Sequence, residues 1–274
     1  MLLLAACGGA DRPQGPDAVA RSASARVAST SHEDDGDRND GDDGEGEDAG
    51  DHDGETTVVS PRNMRGWAFY DDNTGGPGTG SMVVGPGRPP AGRGSARLTV
   101  VTPADRQLLS TARYAGTRLD AITALSYWTY RSSPDPQNVL AIALQLDVDY
   151  DLSDANTAWQ GRLVFEPYQA AGNTVLTGIW QSWDALAGKW WASGAPGNTV
   201  CPQSKPCTWA QVLDAFPNAG LRAGVGYLHF KAGGGWTAFS GNVDAFTIGI
   251  RGHETVTWDF EPAPGHSGRV FHRR

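Results

Sequence analysis

The segment from Val139 to Asp151, VLAIALQLDVDYD, constrains the fold more than any other part of the chain, because a large apolar side chain occupies every second position. Successive side chains of a β-strand point to opposite faces, so this alternation predicts a strand with one buried face. The segment GRLVFEPYQ follows a turn-rich stretch and predicts an antiparallel partner strand. The expected core side chains are Leu140, Ile142, Leu144, Leu146, Val148 and Tyr150.

Most other segments between residues 57 and 262 also have strand character. Runs rich in β-branched and aromatic residues, such as GSARLTVVT and AGVGYLHFKA, are separated by turns rich in Gly, Pro, Asn and Asp. About ten strands of this kind predict an all-β fold, a sandwich of two antiparallel sheets. One short helix is predicted over TWAQVLDAF, residues 208–216, with Thr208 as its N-cap and Pro217 just beyond its end.

The order of these segments resembles that of jelly-roll sandwiches of the concanavalin and carbohydrate-binding-module type. GSARLTV is similar to an early strand of those domains, and GNVDAFTIGI is similar to their closing strand, which carries an aspartate. The segments AWQGRLVFEPY, WWASGAPGNTVCP and GNVDAFTIG also resemble a group of secreted bacterial modules with no assigned activity. The first resemblance implies a jelly-roll-like fold over residues 60–260, and the second implies export.

The first part of the chain has a composition that does not suit a packed core. Residues 33–55 hold 13 of the 31 acidic side chains and one basic side chain, Arg38, so the run carries −12 and the rest of the chain +3. The run has no large apolar residue, and such segments bury too little surface to offset the entropy of ordering. We therefore predict a disordered acidic tether over residues 7–56, a folded domain over 57–262 and a flexible basic tail over 263–274.

The residues Leu4-Ala5-Ala6-Cys7 resemble the lipobox of bacterial lipoproteins. In that family the signal peptide is cut before the cysteine and the thiol is acylated. The resemblance implies that residues 1–6 are a signal-peptide remnant and that Cys7 carries lipid, although the positive segment that opens a signal peptide is absent. Gly8 gives no retention signal of the aspartate kind, so an outer-membrane or cell-surface lipoprotein is expected. The sequence contains no apolar run of 18 residues, so no transmembrane helix is predicted.

Two cysteines and one aspartate are the candidates for structural cross-links. Cys201 and Cys207, in CPQSKPC, are expected to form a disulfide, because a pair this close in an exported protein normally does. A zinc site would need further ligands, and no other Cys or His lies within ten residues. Asp244 is a candidate ligand of a structural Ca²⁺, the alternative being that it caps a turn. No other cofactor and no nucleic-acid partner is predicted.

The stretch IWQSWDALAGKWW, residues 179–191, contains four tryptophans. We predict that DALAGK forms a hairpin loop and that Trp183 pairs with Trp190. This register places Trp183 and Trp190 on the core face and brings Trp180 and Trp191 together on the opposite face. Two indoles on an open face suit the apolar C–H face of a pyranose ring. The alternative is that a loop or a neighbouring layer covers them.

The second candidate site is the polar face of the strands around VLAIALQLDVDYD and GRLVFEPYQ. Asp147 and Asp149 belong to the first strand, and Arg162 and Glu166 belong to the second. These groups could bond sugar hydroxyls, or they could form an ordinary solvated ladder of charges. The three aspartates of the first strand, which end at Asp151, do not match the E-x-D-x-x-E arrangement of retaining glycosidases on concanavalin-like sandwiches. This mismatch argues against catalysis.

The sequence as a whole predicts a surface-tethered, non-catalytic module of the bacterial envelope that binds a glycan. The predicted ligand contacts are Trp180, Trp191, Asp147, Asp149, Arg162 and Glu166. Two alternatives stay open. One is an envelope structural or protein-interaction module without a small ligand, and the other is a glycoside hydrolase or lyase on a concanavalin-like sandwich.

Overall fold

The computed structural model of this chain describes residues 54–72, 78–135, 138–169 and 174–263. The predicted signal-peptide remnant, the lipidation site Cys7, the tether up to residue 53 and the basic tail from residue 264 lie outside the described residues. Within the described part of the chain, no helix is long and apolar enough to cross a membrane.

Fifteen strands and two short α-helices are found among the described residues. The first strand begins two residues before the predicted start of the domain. The strands are β1 (Glu55–Val59), β2 (Trp67–Tyr70), β3 (Thr79–Val84), β4 (Gly94–Val100), β5 (Arg106–Thr111), β6 (Ile122–Arg131), β7 (Ala143–Asp149), β8 (Arg162–Phe165), β9 (Trp180–Asp184), β10 (Lys189–Ala192), β11 (Cys207–Thr208), β12 (Gly220–Leu221), β13 (Leu228–Gly233), β14 (Phe239–Ile250) and β15 (Val256–Phe260). The helices are α1 (Gly197–Val200) and α2 (Trp209–Ala215).

The strands form two sheets, which confirms the predicted all-β sandwich. In the first sheet the order is β1-β15-β14-β4-β3, and β6 pairs with the other side of β14 and carries β9 beyond it. In the second sheet the order is β11-β10-β8-β7-β13-β5-β2, and β12 pairs with the end of β7. Among the described pairs, β1 and β15 run parallel and the others antiparallel.

The hydrophobic core lies between the two sheets and is rich in aromatic rings. The ring of Trp67, in β2 of the second sheet, lies 5.2–5.9 Å from the rings of Phe230, Phe246, Trp258 and Phe260. Phe230 belongs to the second sheet, and the other three rings belong to the first. Aromatic contacts of this kind bury large areas, so they hold the two sheets face to face.

The strand predicted from VLAIALQLDVDYD is present as β7, and its apolar side chains face the core. It begins at Ala143, and in the segment before it the Asp135 carboxylate accepts the N–H groups of Val139 and Leu140 at 2.8 Å. Every residue of β7 is buried, including those on the outer face. The expectation of a half-buried strand is therefore wrong.

Two local predictions near the edge of the second sheet are confirmed. Helix α2 begins after Thr208, whose hydroxyl accepts the Gln211 N–H while the Gln211 side chain accepts the Thr208 N–H, and it ends before Pro217. Cys201 and Cys207 form a disulfide with 5.3 Å between their Cα atoms. The disulfide connects the end of α1 to β11.

Candidate functional site

The tryptophan-rich stretch does not fold as a hairpin, so that prediction is wrong. Strand β9 pairs with β6 in the first sheet, whereas β10 pairs with β8 and β11 in the second. Residues 185–188 carry the chain between the sheets. The Ala185 N–H donates to the Leu125 carbonyl at 2.9 Å, and a Cβ on Gly188 would lie 2.2 Å from the ring of Phe165. Alternation determines the face that a side chain takes, but it does not choose the partner strand.

Trp183 and Trp190 point into the core, as predicted. The indole N–H of Trp183 donates to the hydroxyl of Thr129 at 2.7 Å, and that of Trp190 donates to the carbonyl of Ala185 at 2.8 Å. Both rings are buried and both N–H groups are satisfied, so these two tryptophans have a structural role.

Trp180 and Trp191 lie on the outer faces of different sheets, so the predicted paired platform is wrong. The Trp180 ring lies 5.6 Å from the ring of Tyr130, and its N–H donates to the Pro86 carbonyl at 2.9 Å. The Trp191 N–H donates to the Glu166 carboxylate at 2.9 Å. Both indoles are half-buried. Their contacts with a ligand stay predictions.

The outer face of the second sheet gathers the polar side chains that the alternation places opposite the core. Asp147 of β7 lies directly beside Arg162 of β8. The neighbouring row crosses β10, β8, β7, β13 and β5 through Trp191, Val164, Gln145, His229 and Ser110. Five strands therefore contribute to one continuous surface.

Four charged side chains on this face form an ion network. Arg162 Nε donates to Asp147 at 3.0 Å, and the two terminal nitrogens of Arg162 donate to the two carboxylate oxygens of Asp72 at 2.9 and 3.1 Å. Lys231 Nζ donates to Asp72 at 2.9 Å. No side chain of the network is more than 10% exposed. The alternative of a solvated ladder is therefore wrong, because these charges are buried and paired.

The pKa values of both aspartates in the ion network are lowered. Burial opposes the ionisation of Asp147, but His229 and Arg162 beside it outweigh burial and lower its pKa to about 2. Burial also opposes the ionisation of Asp72, and Arg162 and Lys231 hold its pKa below the usual range. Both carboxylates are ionised at neutral pH, so neither can donate a proton there.

His229 connects the ion network to two hydroxyl groups. Its Nε2 lies 3.1 Å from Asp147, and its Nδ1 lies 2.7 Å from the Ser110 hydroxyl and 3.0 Å from the Tyr70 hydroxyl. With the proton on Nε2, the ring donates to Asp147 and accepts from the hydroxyls. Burial lowers the pKa of His229, which keeps the ring neutral at neutral pH. The ring of Tyr227 stacks on it at 5.6 Å.

The series Ser110, His229 and Asp147 has the residue types of a hydrolytic triad, but the two ring nitrogens are exchanged and the serine is not accessible. Ser110 is 2% exposed and His229 is 0% exposed. A serine nucleophile must reach a substrate carbonyl, and the Ser110 hydroxyl is buried and cannot do so. The three residues therefore support the outer face of the second sheet and do not form a hydrolase site.

Glu166 and Asp149, the other two predicted ligand carboxylates, lie apart from the ion network. Glu166 accepts hydrogen bonds from Trp191 at 2.9 Å and from Gln169 at 3.2 Å, and burial raises its pKa. Asp149 accepts the side-chain amide of Gln160 at 3.1 Å. Of the predicted ligand residues, the structure therefore brings Asp147 together with Arg162, and Trp191 together with Glu166. Asp149 instead contacts Gln160, in the loop that follows β7.

Several residues of this face were not among the predicted site residues, namely Asp72, Tyr70, Tyr227, His229 and Lys231. The alternation in GYLHFKA places Tyr227, His229 and Lys231 on one side of a strand, so that part of the pattern was present in the sequence. Asp72 gives no such signal. It follows β2, and three strands separate β2 from the Arg162 that it contacts.

Asp244, the candidate calcium ligand, is fully buried in β14. Its two carboxylate oxygens accept the N–H groups of Phe260 at 3.0 Å and Ala91 at 3.1 Å, and burial raises its pKa to about 7. In the part of the chain that the structure describes, no group of three or more His, Cys, Asp or Glu side chains could hold a metal ion. The contacts give Asp244 the role of tying a loop to the sheet, and calcium binding stays a prediction.

Comparison with known proteins finds no matching family model and no matching curated protein. Among solved structures, the chain is similar to the enzymatically active domain of tailspike protein 4 of bacteriophage CBA120, with 10% identity, a TM-score of 0.36 and coverage of 69% of this chain and 20% of that chain. It therefore spans about a fifth of the tailspike chain.

Two similar structures are carbohydrate-binding modules. One is the family 11 module from Clostridium thermocellum in complex with a β-1,3-1,4-mixed-linked tetrasaccharide, with 12% identity, a TM-score of 0.37 and coverage of 69% and 91% of the two chains. The other is TmCBM61 in complex with β-1,4-galactotriose, with 9% identity, a TM-score of 0.30 and coverage of 68% and 88%. Likenesses at TM-scores this low carry no argument about function.

Proposed function

We propose that this protein is a non-catalytic glycan-binding module and that the outer face of its second sheet binds the saccharide. The observation that carries the proposal is the arrangement of half-buried aromatic rings around a buried polar network. Tyr70, Tyr227 and Trp191 are each half-buried, and each contacts or adjoins polar side chains of this face. Aromatic planes suit the C–H faces of sugar rings, and neighbouring polar groups suit sugar hydroxyls.

The strand register gives this face the length for a chain of several sugars. Trp191 in β10 and His229 in β13 belong to one row, and β8 and β7 lie between them. Three strand spacings of roughly 4.8 Å separate the two strands by about 14 Å. A saccharide that crosses the strands would therefore reach Trp191 near one end and Tyr227, which stacks on His229, near the other. Binding is expected to be weak, because most polar side chains of this face are buried and the half-buried rings offer a ligand little surface to cover.

The positions of the carboxylates favour binding over glycoside hydrolysis. Arg162 pairs with Asp147, and Glu166 lies four residues further along the chain from Arg162. At roughly 3.3 Å per residue, this corresponds to about 13 Å between the two carboxylate positions. Retaining and inverting glycosidases keep their two carboxyl groups within about 9.5 Å. Asp147, held ionised by Arg162, also cannot act as the general acid.

The cell-surface location belongs to the same proposal. It is supported by the lipobox-like residues Leu4–Cys7 and by the acidic composition of residues 33–55. A lipid anchor at Cys7 followed by a solvated tether would present the sandwich away from the membrane. Metabolic labelling of the full chain with a fatty-acid probe tests this part, since Cys7→Ser is expected to abolish the label.

The experiment that tests glycan binding is affinity electrophoresis of the full chain in gels that contain single polysaccharides. Retardation by one or more polysaccharides is expected, and Tyr227→Ala should reduce it at least tenfold without unfolding the chain. Tyr130→Ala, on the outer face of the first sheet, is the matched control and should bind like the wild type. No retardation across a broad panel would contradict the proposal. Release of reducing ends from a retained polysaccharide would contradict its non-catalytic part.

A further inference from the structure

Glu166, which follows the last residue of β8, is a half-buried carboxylate whose hydrogen bonds all reach the same oxygen. Its Oε2 accepts the indole N–H of Trp191 at 2.9 Å and the side-chain amides of Gln169 at 3.2 Å and Gln203 at 3.4 Å. The Tyr168 hydroxyl donates to the same atom at 3.5 Å. These donors come from three separate segments of the chain, so together they fix the direction of the carboxylate.

The other oxygen of this carboxylate, Glu166 Oε1, accepts no hydrogen bond from the described residues. It is also open to solvent, because it is not among the buried side-chain oxygens of the described residues that lack a partner. The side-chain oxygen of Gln169 is one of those buried oxygens, and it belongs to the amide that donates to Glu166 Oε2. Two acceptors of one cluster therefore lack donors, and a ligand that reaches Glu166 Oε1 must donate a hydrogen bond.

Among the described residues, no cation pairs with Glu166. Lys189, two residues before Trp191 in β10, is exposed and forms no ion pair with it. Burial raises the pKa of Glu166, while the hydrogen bonds from its neighbours oppose this shift and favour the ionised form. A carboxylate held partly out of water without a cation is unfavourable, so a positively charged ligand group would be stabilised at Oε1.

The place of Glu166 on the proposed glycan-binding face indicates which cation would bind. The half-buried ring of Trp191 offers its plane to the C–H face of a sugar, and its N–H edge points at the carboxylate. A pyranose that packs on this ring would therefore bring its ring substituents close to Glu166. Among the substituents of sugars, a free amino group carries a positive charge and three N–H donors, whereas an acetylated one is neutral and has a single N–H.

We infer that Trp191 and Glu166 form a subsite for an amino sugar with a free ammonium group, so that the ligand is a polysaccharide of the glucosamine type. This inference rests on the proposed function and names its substrate class. The sugar ring packs on Trp191, and the ammonium group donates to Glu166 Oε1. Attraction between the ammonium group and the indole adds to the ion pair.

The test measures the affinity of the full chain for the tetramers of β-1,4-linked glucosamine and of N-acetylglucosamine by isothermal titration calorimetry. Wild type is expected to bind the glucosamine tetramer about tenfold more tightly, which is the size of a charge-assisted hydrogen bond. Glu166→Gln keeps the shape of the side chain and should lose this preference. The absence of a preference in wild type, or an equal preference in Glu166→Gln, overturns the inference.

The matched control is Asp214→Asn, which removes one exposed carboxylate from helix α2. This variant should keep the preference of wild type for the glucosamine tetramer. Residues 33–55 carry many acidic side chains and would also attract a cationic oligomer, but they are the same in all three proteins. A loss of preference in Asp214→Asn as large as that in Glu166→Gln would show attraction by overall charge and overturn the inference.

A second readout uses wild type and does not depend on the folding of Glu166→Gln. The indole N–H of Trp191 donates to Glu166, so its NMR signal reports directly on this subsite. The signal should shift at a lower concentration of the glucosamine tetramer than of the acetylated tetramer, and the Trp180 signal should not shift with either. Equal concentrations for the two tetramers, or no shift of Trp191 with either, overturns the inference.

The two proposals fail in distinguishable ways. Retention of a neutral polysaccharide that depends on Tyr227, with no preference for the glucosamine tetramer, would overturn the amino-sugar subsite and leave the glycan-binding face intact. If neither tetramer binds and no polysaccharide retards the chain, the proposed function fails as well.

Discussion

The outer faces of the two sheets satisfy their buried polar groups in different ways. On the first sheet, backbone groups are prominent partners: Ala91 and Phe260 donate to Asp244, and Pro86 accepts from Trp180, although Asn242 also donates to the Ser95 hydroxyl. On the second sheet, side chains are the main partners, since Arg162 binds both Asp147 and Asp72, although the Tyr227 N–H also donates to Asp147. A backbone partner is part of the chain path and cannot be exchanged, whereas a side-chain partner can be replaced by a ligand. This difference is why the second face is the stronger candidate site.

The largest expected effect is that of removing the central cation. Arg162→Ala would leave Asp147 and Asp72 buried without their main partner, and breaking a buried pair in this way costs about 3–5 kcal/mol. Arg97→Ala removes an exposed arginine from the first sheet and should change the free energy of unfolding by less than about 0.5 kcal/mol. Urea titration of both variants checks this prediction. Similar small losses in both would show that the ion network contributes little to stability.

The two faces are also expected to respond to pH in opposite directions. The folded-state pKa of Asp147 is about 2, below the unfolded value of about 3.9, so its contribution is present above pH 4 and is lost as pH falls towards 2. The contribution of Asp147 to the free energy of unfolding is about 2 kcal/mol above pH 4. The folded-state pKa of Asp244 is about 7, above the unfolded value, so stability falls as pH rises from about 4 to 7.

The measurement for this prediction is the free energy of unfolding against pH for wild type, Asp147→Asn and Asp244→Asn. Asp147→Asn should lose the dependence below pH 4, and Asp244→Asn should lose the one between pH 4 and 7. If the two variants show the same profile as wild type, the charges of these faces do not control stability.

The smallest expected effect concerns single indole hydrogen bonds. Trp180→Phe removes the bond to the Pro86 carbonyl and should lower the free energy of unfolding by about 1 kcal/mol. Trp191→Phe takes a donor from the Glu166 carboxylate, which is buried and already has a raised pKa, and should cost about 2 kcal/mol. Thermal denaturation resolves this difference. A larger loss of stability for Trp180→Phe than for Trp191→Phe would contradict the prediction that the hydrogen bond to the Glu166 carboxylate is the stronger of the two.

The sequence predicts the faces of the strands better than their partners. In β7 the alternation correctly separates the core side chain Leu146 from Asp147 on the outer face. Helix α2 was predictable because its cap, Thr208 with Gln211, is local in sequence. The failure at residues 185–188 has a physical cause, since a connection of four small or apolar residues fits a hairpin and a passage between sheets equally well. A Cβ at Gly188 would clash with Phe165, and that contact exists only in the folded chain.

The composition of the candidate site was only partly predictable for the same reason. Asp147 and Arg162 lie in neighbouring strands. Their place on the same face could be predicted from the alternation of side chains and from the pairing of the two strands. Asp72 joins them across three intervening strands, and no local pattern in the sequence encodes that contact. Burial of the face was likewise not visible, because contacts between residues distant in the sequence, such as that of Asp72 with Arg162, contribute to it.

The most direct test of the central claim follows the indole N–H signals of Trp191 and Trp180 by NMR while an oligosaccharide of the retained polysaccharide is added. The two signals are assigned with the Trp191→Phe and Trp180→Phe variants. Saccharide at the outer face of the second sheet should shift the Trp191 signal in a saturable way and leave the Trp180 signal in place. A saturable shift of Trp180 alone would place the binding site on the first sheet and contradict the proposal.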